Sequence, residues 1–396
     1  MSNNAKPHVA YGDPISLPKN NPKFYPWPKW PHGVPNVPGE EFSVELSSIS
    51  QEAADAEKSS ERLVFHAVGD TGNDSSDEAQ VAIAKAMAFQ VRHAGSPEDR
   101  PGFFYLLGDV VYPLGEDKHY RDRFYEPYKR YAPPIVSVPG NHDGYGSGNS
   151  PATSLDGWVK HFLGSLPKPE WSSYRPPQRL PFVFWELKTS VARIIGLYSN
   201  VDGHLDDPAS QKTVQRDWLS ARLKAAPKDV AIIVVVHHPP YSLDDSHGGS
   251  PAIVDALDSA VANTATNPAE QRWPDLVLSG HVHSAQRYTR RVANREIPYV
   301  VAGAGGRAHK RKRIAQFMEW DGELPIRPGF QTRPRDPKLN LQLVAADVSD
   351  PGFLTLEVTR DKILSTYWKV PFDDDQPVEW YDRFSLDLRK HTIDNH

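Results

Sequence analysis

Cysteine is absent from all 396 residues of the chain. Disulfides, cysteine-held iron–sulfur clusters and thiolate metal sites are therefore excluded, and any metal must rest on nitrogen and oxygen donors. The absence also fits a reducing compartment. No apolar run approaches the ~20 residues of a membrane span. Met1 to Ala10 hold neither the apolar core of a secretory leader nor a twin arginine, which points to a cytoplasmic chain. A secreted protein with its leader trimmed would begin in the same way. Positive charge is not in excess: the net charge of -5 offers no general attraction to nucleic acid or to an anionic membrane, and neither partner is expected. With 39% hydrophobic and 24% charged residues, what remains is an ordinary soluble globular chain. Its length allows one large or two modest domains.

Proline is plentiful only at the start. Pro7, Pro14, Pro18, Pro22, Pro26, Pro28, Pro31, Pro35 and Pro38 keep that stretch extended and off helix. Tyr25, Trp27 and Trp30 are interleaved with them, more aromatic than a disordered linker would be. Residues 1–60 read as a Pro-rich N-terminal arm and linker. The arm either lays its rings on the domain surface or serves a proline-binding module. Gln51 to Arg62 reads as linker or short helix.

Residues 61–396 read as one α/β domain. Leu63–Val68, Phe103–Leu107, Ile135–Val138, Ala231–Val236 and Leu276–Ser279 have the apolar runs of buried strands. Ser75 and Glu78 stand at capping-box spacing ahead of a helix running through Val91. Further helices are expected around Asp117–Glu126, through Val214 and Leu223, and over Ala252–Ala262. Residues 144–180 read as a long loop, a candidate lid or substrate wall. Phe182–Leu187 and Val191–Tyr198 look like a hairpin, and Tyr299–Ala302 like a strand. Leu341–Val348, Phe353–Val358 and Ile363–Trp368 read as a terminal antiparallel meander.

Polar residues recur just past five of these strands: Asp70, Asp109 with Tyr112, Asn141 with His142, His237, and His281 with His283. Ligands of α/β sheets bind outside the carboxyl ends of strands, so these side chains have a physical reason to converge. Gly280 lets the chain turn sharply as it leaves its strand. His281 and His283 then put two imidazoles, the commonest metal ligands among side chains, close together on one loop. Each residue also has an ordinary reading, the Asp as a turn residue and the His beside Pro as a loop residue. His237 and His238 are equivalent by spacing. The basic run Arg307 to Arg313 is either solvated or draws in an anionic substrate.

Taken together, the five segments resemble the calcineurin-like metallophosphoesterases, and more narrowly the purple acid phosphatases. Those families carry Asp-x-Gly, Gly-Asp-x-x-Tyr, Gly-Asn-His-[Asp/Glu], Val-x-x-His and Gly-His-x-His. This chain has Asp70-Thr71-Gly72, Gly108-Asp109-Val110-Val111-Tyr112, Gly140-Asn141-His142-Asp143, Val234-Val235-Val236-His237 and Gly280-His281-Val282-His283, in that order. The resemblance implies a four-layer α/β/β/α sandwich of two mixed sheets. It implies hydrolysis of a small phosphorylated substrate, a phosphate monoester, by a metal-bound hydroxide at a dinuclear centre. Asp70, Tyr112 and His283 would bind one ion, and Asn141, His237 and His281 the other. Asp109 would bridge them, and His142 would face the phosphoryl group unligated. The family's His-x-Pro arrangement favours His237 over His238. A looser match, Tyr241 to Gly248, would set His247 over the substrate.

Two ions supply a nucleophile at neutral pH and hold spreading negative charge. Most calcineurin-like enzymes carry His where this chain has Gly72; here Tyr112 follows the bridging Asp by three residues. Two divalent ions, two carboxylates and one hydroxide leave a single positive charge. A phenolate cancels it unless one ion is trivalent. Tyr112 thus argues for ferric iron plus divalent iron, zinc or manganese. The other possibility is that Tyr112 packs beside two divalent ions. A phosphodiesterase or nucleotide pyrophosphatase is the alternative on the same site, and a silent scaffold the rival of another class. Many purple acid phosphatases are secreted, some with a disulfide or an extra N-terminal domain, and this chain departs from them in having no Cys and only a short arm.

Overall fold

The computed structural model describes residues 42–72, 77–144, 155–163, 180–200, 205, 214–244, 247–307, 335–347, 350–371 and 377–396. The proline-rich stretch before residue 42, Ser75, most of the expected 144–180 loop, the basic residues 308–313 and Val348 lie outside them.

In chain order the strands are β1 (Ser43–Glu45), β2 (Arg62–Val68), β3 (Phe104–Leu106), β4 (Ile135–Ser137), β5 (Trp185–Lys188), β6 (Ala192–Leu197), β7 (Ala231–Val236) and β8 (Leu276–Ser279). They continue with β9 (Ala285–Val292), β10 (Arg295–Ala302), β11 (Arg335–Asp336), β12 (Leu341–Asp347), β13 (Gly352–Thr359), β14 (Lys362–Lys369), β15 (Glu379–Asp387) and β16 (Thr392–Asn395). One sheet has the order β1-β5-β6-β7-β8-β10-β9-β12-β11, the other β16-β15-β14-β13-β2-β3-β4. Both are mixed. Strands β6, β7, β8 and β10 run parallel in the first, and β2, β3 and β4 in the second.

The parallel centres follow from composition. Every residue of β7, Ala-Ile-Ile-Val-Val-Val, is buried, as a strand covered on both faces must be. Helix Glu78–Arg92 turns Ile83, Met87 and Val91 inward. Helices Val214–Ala225 and Pro251–Ala262 pack on each other. The result is the expected α/β/β/α sandwich. Between the sheets, Tyr105 of β3 stacks on Trp185 of β5, with centroids 5.6 Å apart and planes at 2°. The Trp185 indole N–H donates to the Ser137 carbonyl of β4 at 3.0 Å.

Residues 42–60 are packed into this body. Phe42 packs on both Phe182 and Phe184, at 5.2 and 5.4 Å. Strand β1 pairs in parallel with β5, and Gln51–Ser60 is a helix whose Ser50 cap accepts from the Ala53 N–H at 3.1 Å. No helix among the described residues is long and apolar enough to cross a membrane.

Several local expectations change. The stretch after Asp117 is a 3₁₀ turn, Asp117–His119, followed by one π turn, Arg121–Tyr125. Within the expected 144–180 loop a helix, Asp156–Phe162, buries Trp158 and Phe162. The expected meander is split: β12 pairs with β9 in the nine-stranded sheet, while β13 and β14 continue into β15 and β16 in the other. An alternating half-buried strand reads the same in either sheet, so periodicity could not choose its neighbour.

Candidate metal centre

Every sequence-selected residue lies past the carboxyl end of a parallel strand. The seven-stranded sheet delivers Asp70 after β2, Asp109 and Tyr112 after β3, and Asn141 and His142 after β4. The nine-stranded sheet delivers His237 after β7, and His281 and His283 after β8. Three of them, Asp70, Asp109 and His281, take left-handed backbone with φ of 60°, 54° and 67°. That conformation is costly for residues with a Cβ and is found where a site demands it. The turn expected at Gly280 is thus made by His281. What glycine provides there is closeness, since a Cβ on Gly280 would stand 2.8 Å from Asp70 Oδ2.

Each carboxylate is anchored by one oxygen and presents the other. Asp70 Oδ2 accepts the His281 backbone N–H at 2.7 Å, leaving Oδ1 2.9 Å from the Tyr112 phenol. Asp109 Oδ1 accepts the His142 backbone N–H at 2.8 Å, leaving Oδ2 also 2.9 Å from that phenol. His283 Nε2 is 3.2 Å from the Tyr112 phenol oxygen and 3.5 Å from Asp70 Oδ1. On the other side, Asn141 Oδ1 is 3.0 Å from His237 Nε2 and 2.9 Å from His281 Nδ1. Asp109 Oδ2 is 3.4 Å from His237 Nε2 and so touches both groups. Ligand atoms of Asp109, His237 and His281 lie within 4.8 Å of one another.

These donors suit cations. A phenol has one proton, yet two carboxylate oxygens stand at 2.9 Å from Tyr112. His237 donates Nδ1–H to the Leu107 carbonyl at 2.8 Å, which aims its Nε2 lone pair at oxygens of Asn141 and Asp109. On protein charges alone, burial opposes a charged His237, but Asp109 overrides it and raises the pKa to about 9. A proton is being drawn to where a cation belongs. Burial, then Asp109 and Asp70, push the Tyr112 phenol well above 10, so its ionisation calls for a metal. Burial and the surrounding imidazoles hold His281 well below the ordinary histidine value, leaving it neutral.

His142 lies at the rim. Its Nδ1–H donates to the Pro113 carbonyl at 2.6 Å, and Nε2 lies 4.0 Å from Asp109 Oδ2. Burial lowers its pKa, with Asp109 acting the other way. His247 comes from a separate loop, its ring 4.9 Å from that of His281 and 5.8 Å from that of His283. Its backbone N–H donates to Asp244 Oδ1 at 2.6 Å. His238 has Nδ1 2.7 Å from the Ser199 hydroxyl and its ring 4.3 Å from that of His281.

Two nearby residues received no individual role from the sequence. Asp143 accepts from the backbone N–H of Gly140 at 2.9 Å and of Val110 at 3.1 Å, tying two of the loops together. Burial, then the Asp109 charge, raises its pKa to about 8. Arg307 holds its guanidinium 4.4 Å from the Tyr112 ring centroid. Its place at the head of a basic run was the available signal.

A family model described as calcineurin-like phosphoesterase matches residues 63–285. No curated protein matches the chain in sequence. Among solved structures, GAP50, the anchor in the inner membrane complex of Plasmodium, is 16% identical with TM-score 0.51; the match covers 81% of this chain and 88% of that one. Purple acid phosphatase PPD1 from yellow lupin seeds is 16% identical with TM-score 0.55, over 83% of this chain and 55% of that one. PhoD is 14% identical with TM-score 0.50, over 84% and 71%. At such identities the likeness is one of fold.

Proposed function

The chain belongs to the calcineurin-like phosphoesterase family, hydrolases of phosphate esters that normally hold two metal ions, and we propose that it is a phosphomonoesterase of the purple acid phosphatase type. One observation carries the reading: two donor groups, Asp70–Tyr112–His283 and Asn141–His237–His281, meet at a single shared carboxylate oxygen of Asp109. The first group, with its phenol, suits ferric iron; the second suits divalent iron, zinc or manganese. Bound ions would supply a nucleophile at neutral pH and neutralise charge on the phosphoryl oxygens.

The chain's own residues do the rest. Asp109 fixes the spacing of the two groups. The Leu107 carbonyl sets the tautomer of His237, and the His281 N–H orients Asp70. His142 and His247 reach the centre from two sides, hold the phosphoryl oxygens, and one of them passes a proton to the departing alkoxide. The proposed substrate is a small phosphorylated molecule met in the cytoplasm. One structural neighbour is described as an anchor, but a silent scaffold has no use for seven convergent donors.

The test is metal analysis of active protein purified without chelators, with its visible spectrum and its rates on monoesters and diesters. Two ions per chain, at least one iron, and preferred monoester cleavage are expected. One ion or none in active enzyme would overturn the dinuclear reading. A diester preference would overturn the ester class.

A further inference from the structure

We infer that Arg307 makes the centre favour dianionic phosphomonoesters over monoanionic diesters, an inference that rests on the dinuclear phosphatase reading. Strand β10 ends at Ala302, and the chain then runs through Gly303, Ala304, Gly305 and Gly306 directly against the metal-binding loops. A Cβ on Gly303 would stand 2.8 Å from Asp70 Oδ2. The Gly305 N–H donates to the Gly69 carbonyl at 3.1 Å, and a Cβ on Gly306, whose φ is 133°, would stand 2.9 Å from the Gln80 backbone. The next residue is Arg307, whose N–H donates to the Asp70 carbonyl at 2.9 Å. Its backbone is therefore pinned to a proposed metal ligand.

Its side chain is placed as firmly. The guanidinium carbon is 4.4 Å from the Tyr112 ring centroid, a cation–π distance, while the His142 ring is 4.2 Å from the same ring. The Arg307 charge acts on both Tyr112 and His142. It therefore stands against the ring whose phenol is a proposed ligand, beside the proposed phosphoryl-facing His142, and its forked N–H groups match phosphate oxygens.

Charge decides what this cation selects. With one trivalent and one divalent ion, the loaded centre carries a single positive charge after its hydroxide, two carboxylates and phenolate. A monoester above about pH 6 brings two negative charges and a diester one. Without Arg307 the diester complex is neutral and the monoester complex carries a surplus negative charge. With Arg307 the monoester complex becomes neutral instead. At a partly buried site such a difference changes binding far more than it would in water.

The test compares 4-nitrophenyl phosphate with methyl 4-nitrophenyl phosphate near pH 7.5, on metal-loaded full-length protein. The two share a leaving group and differ in charge. Arg307→Met should raise KM for the monoester by about 10- to 100-fold and lower the monoester-to-diester ratio of kcat/KM at least ~10-fold. Calorimetry should show inorganic phosphate binding weakened in parallel. Arg307→Lys, which keeps the charge, should retain the ester preference. Equal losses on both esters, no loss, or loss of preference in Arg307→Lys would overturn the assignment. Phosphate titration keeps this separable from the parent reading: a wild-type protein that cleaves neither ester sinks the phosphatase reading, while the change in phosphate affinity still scores Arg307.

Discussion

Gly72 lies so close to Val110 that any Cβ on it would run into the Val110 carbonyl oxygen and stand 2.9 Å from the Val111 α-carbon. The residue the wider family places here, a histidine, has no room in this chain. On the proposed assignment the donor it would supply comes instead from Tyr112, two residues beyond Val110, whose phenol reaches Asp70 and Asp109 at once. The missing histidine and the added tyrosine are two sides of one local geometry.

Gly72→Ala should therefore disturb metal binding without touching a ligand. The methyl group must push the 108–112 loop outward, at a cost of about 1–3 kcal/mol. Thermal unfolding should show that loss. Metal analysis should show weakened retention, with activity down at least ~10-fold. Full metal content in a stable Gly72→Ala protein would mean that the loop yields freely.

Tyr112→Phe should remove colour. A phenolate on ferric iron gives a visible charge-transfer band, and phenylalanine cannot. The expected outcome is loss of the band in protein that still contains iron by elemental analysis. A wild-type enzyme that is active and stays colourless after mild oxidation would instead favour two divalent ions beside an un-ionised Tyr112.

His142→Ala and His247→Ala should leave metal content intact and lower kcat, by roughly 10²–10⁴-fold for the residue that acts as the acid. For that residue the loss should shrink on esters of acidic leaving groups such as nitrophenol, which depart unaided. Rates across a leaving-group series read this directly. Equal losses across the series for both variants would reduce them to phosphate binders.

A fourth prediction concerns acid stability. His66, buried in β2, stands with Nδ1 3.0 Å from the Tyr131 hydroxyl and Nε2 3.0 Å from Gln90 Oε1. Burial lowers its pKa to about 4 from the ordinary histidine value of 6.5, the Gln90 bond acting the other way. The folded chain thus resists a proton that the unfolded chain accepts. Its contribution is whole above pH 6.5 and is lost as pH falls to about 4, a difference of about 3 kcal/mol. Urea unfolding of wild type and His66→Gln at pH 7 and pH 4 should show wild type losing that much more than the variant. Parallel losses would mean that His66 is not the group titrating.

The central strands and the site were legible in the sequence because each rests on a local rule. Strand β7 is a β-branched run too apolar for any place but a sheet interior. The five polar blocks each sit within a few residues of a strand end, where their residues can act together. Arg307 was visible only as the first of several basic residues, because its position depends on glycines folding against Gly69 and Gln80, far away in sequence. The sheet to which β12 belongs was hidden for a similar reason. Its buried Leu341 and Leu343 would fit either sheet equally well, and only the pairing with β9 decides.

On the proposed assignment each ion would take donors from both sheets, and the backbone follows suit, with the Gly69 N–H donating to the Ala302 carbonyl at 2.8 Å across the same seam. Mechanically, each such ion would be a rivet through two plates. Forcing the plates apart would eject it, so its binding energy would resist every global opening of the chain. At a free metal concentration a thousand times the dissociation constant, that resistance is about 4 kcal/mol, a large share of what usually keeps a domain folded. Metal supply would then govern not only how fast the protein turns over substrate but how long a copy survives proteolysis.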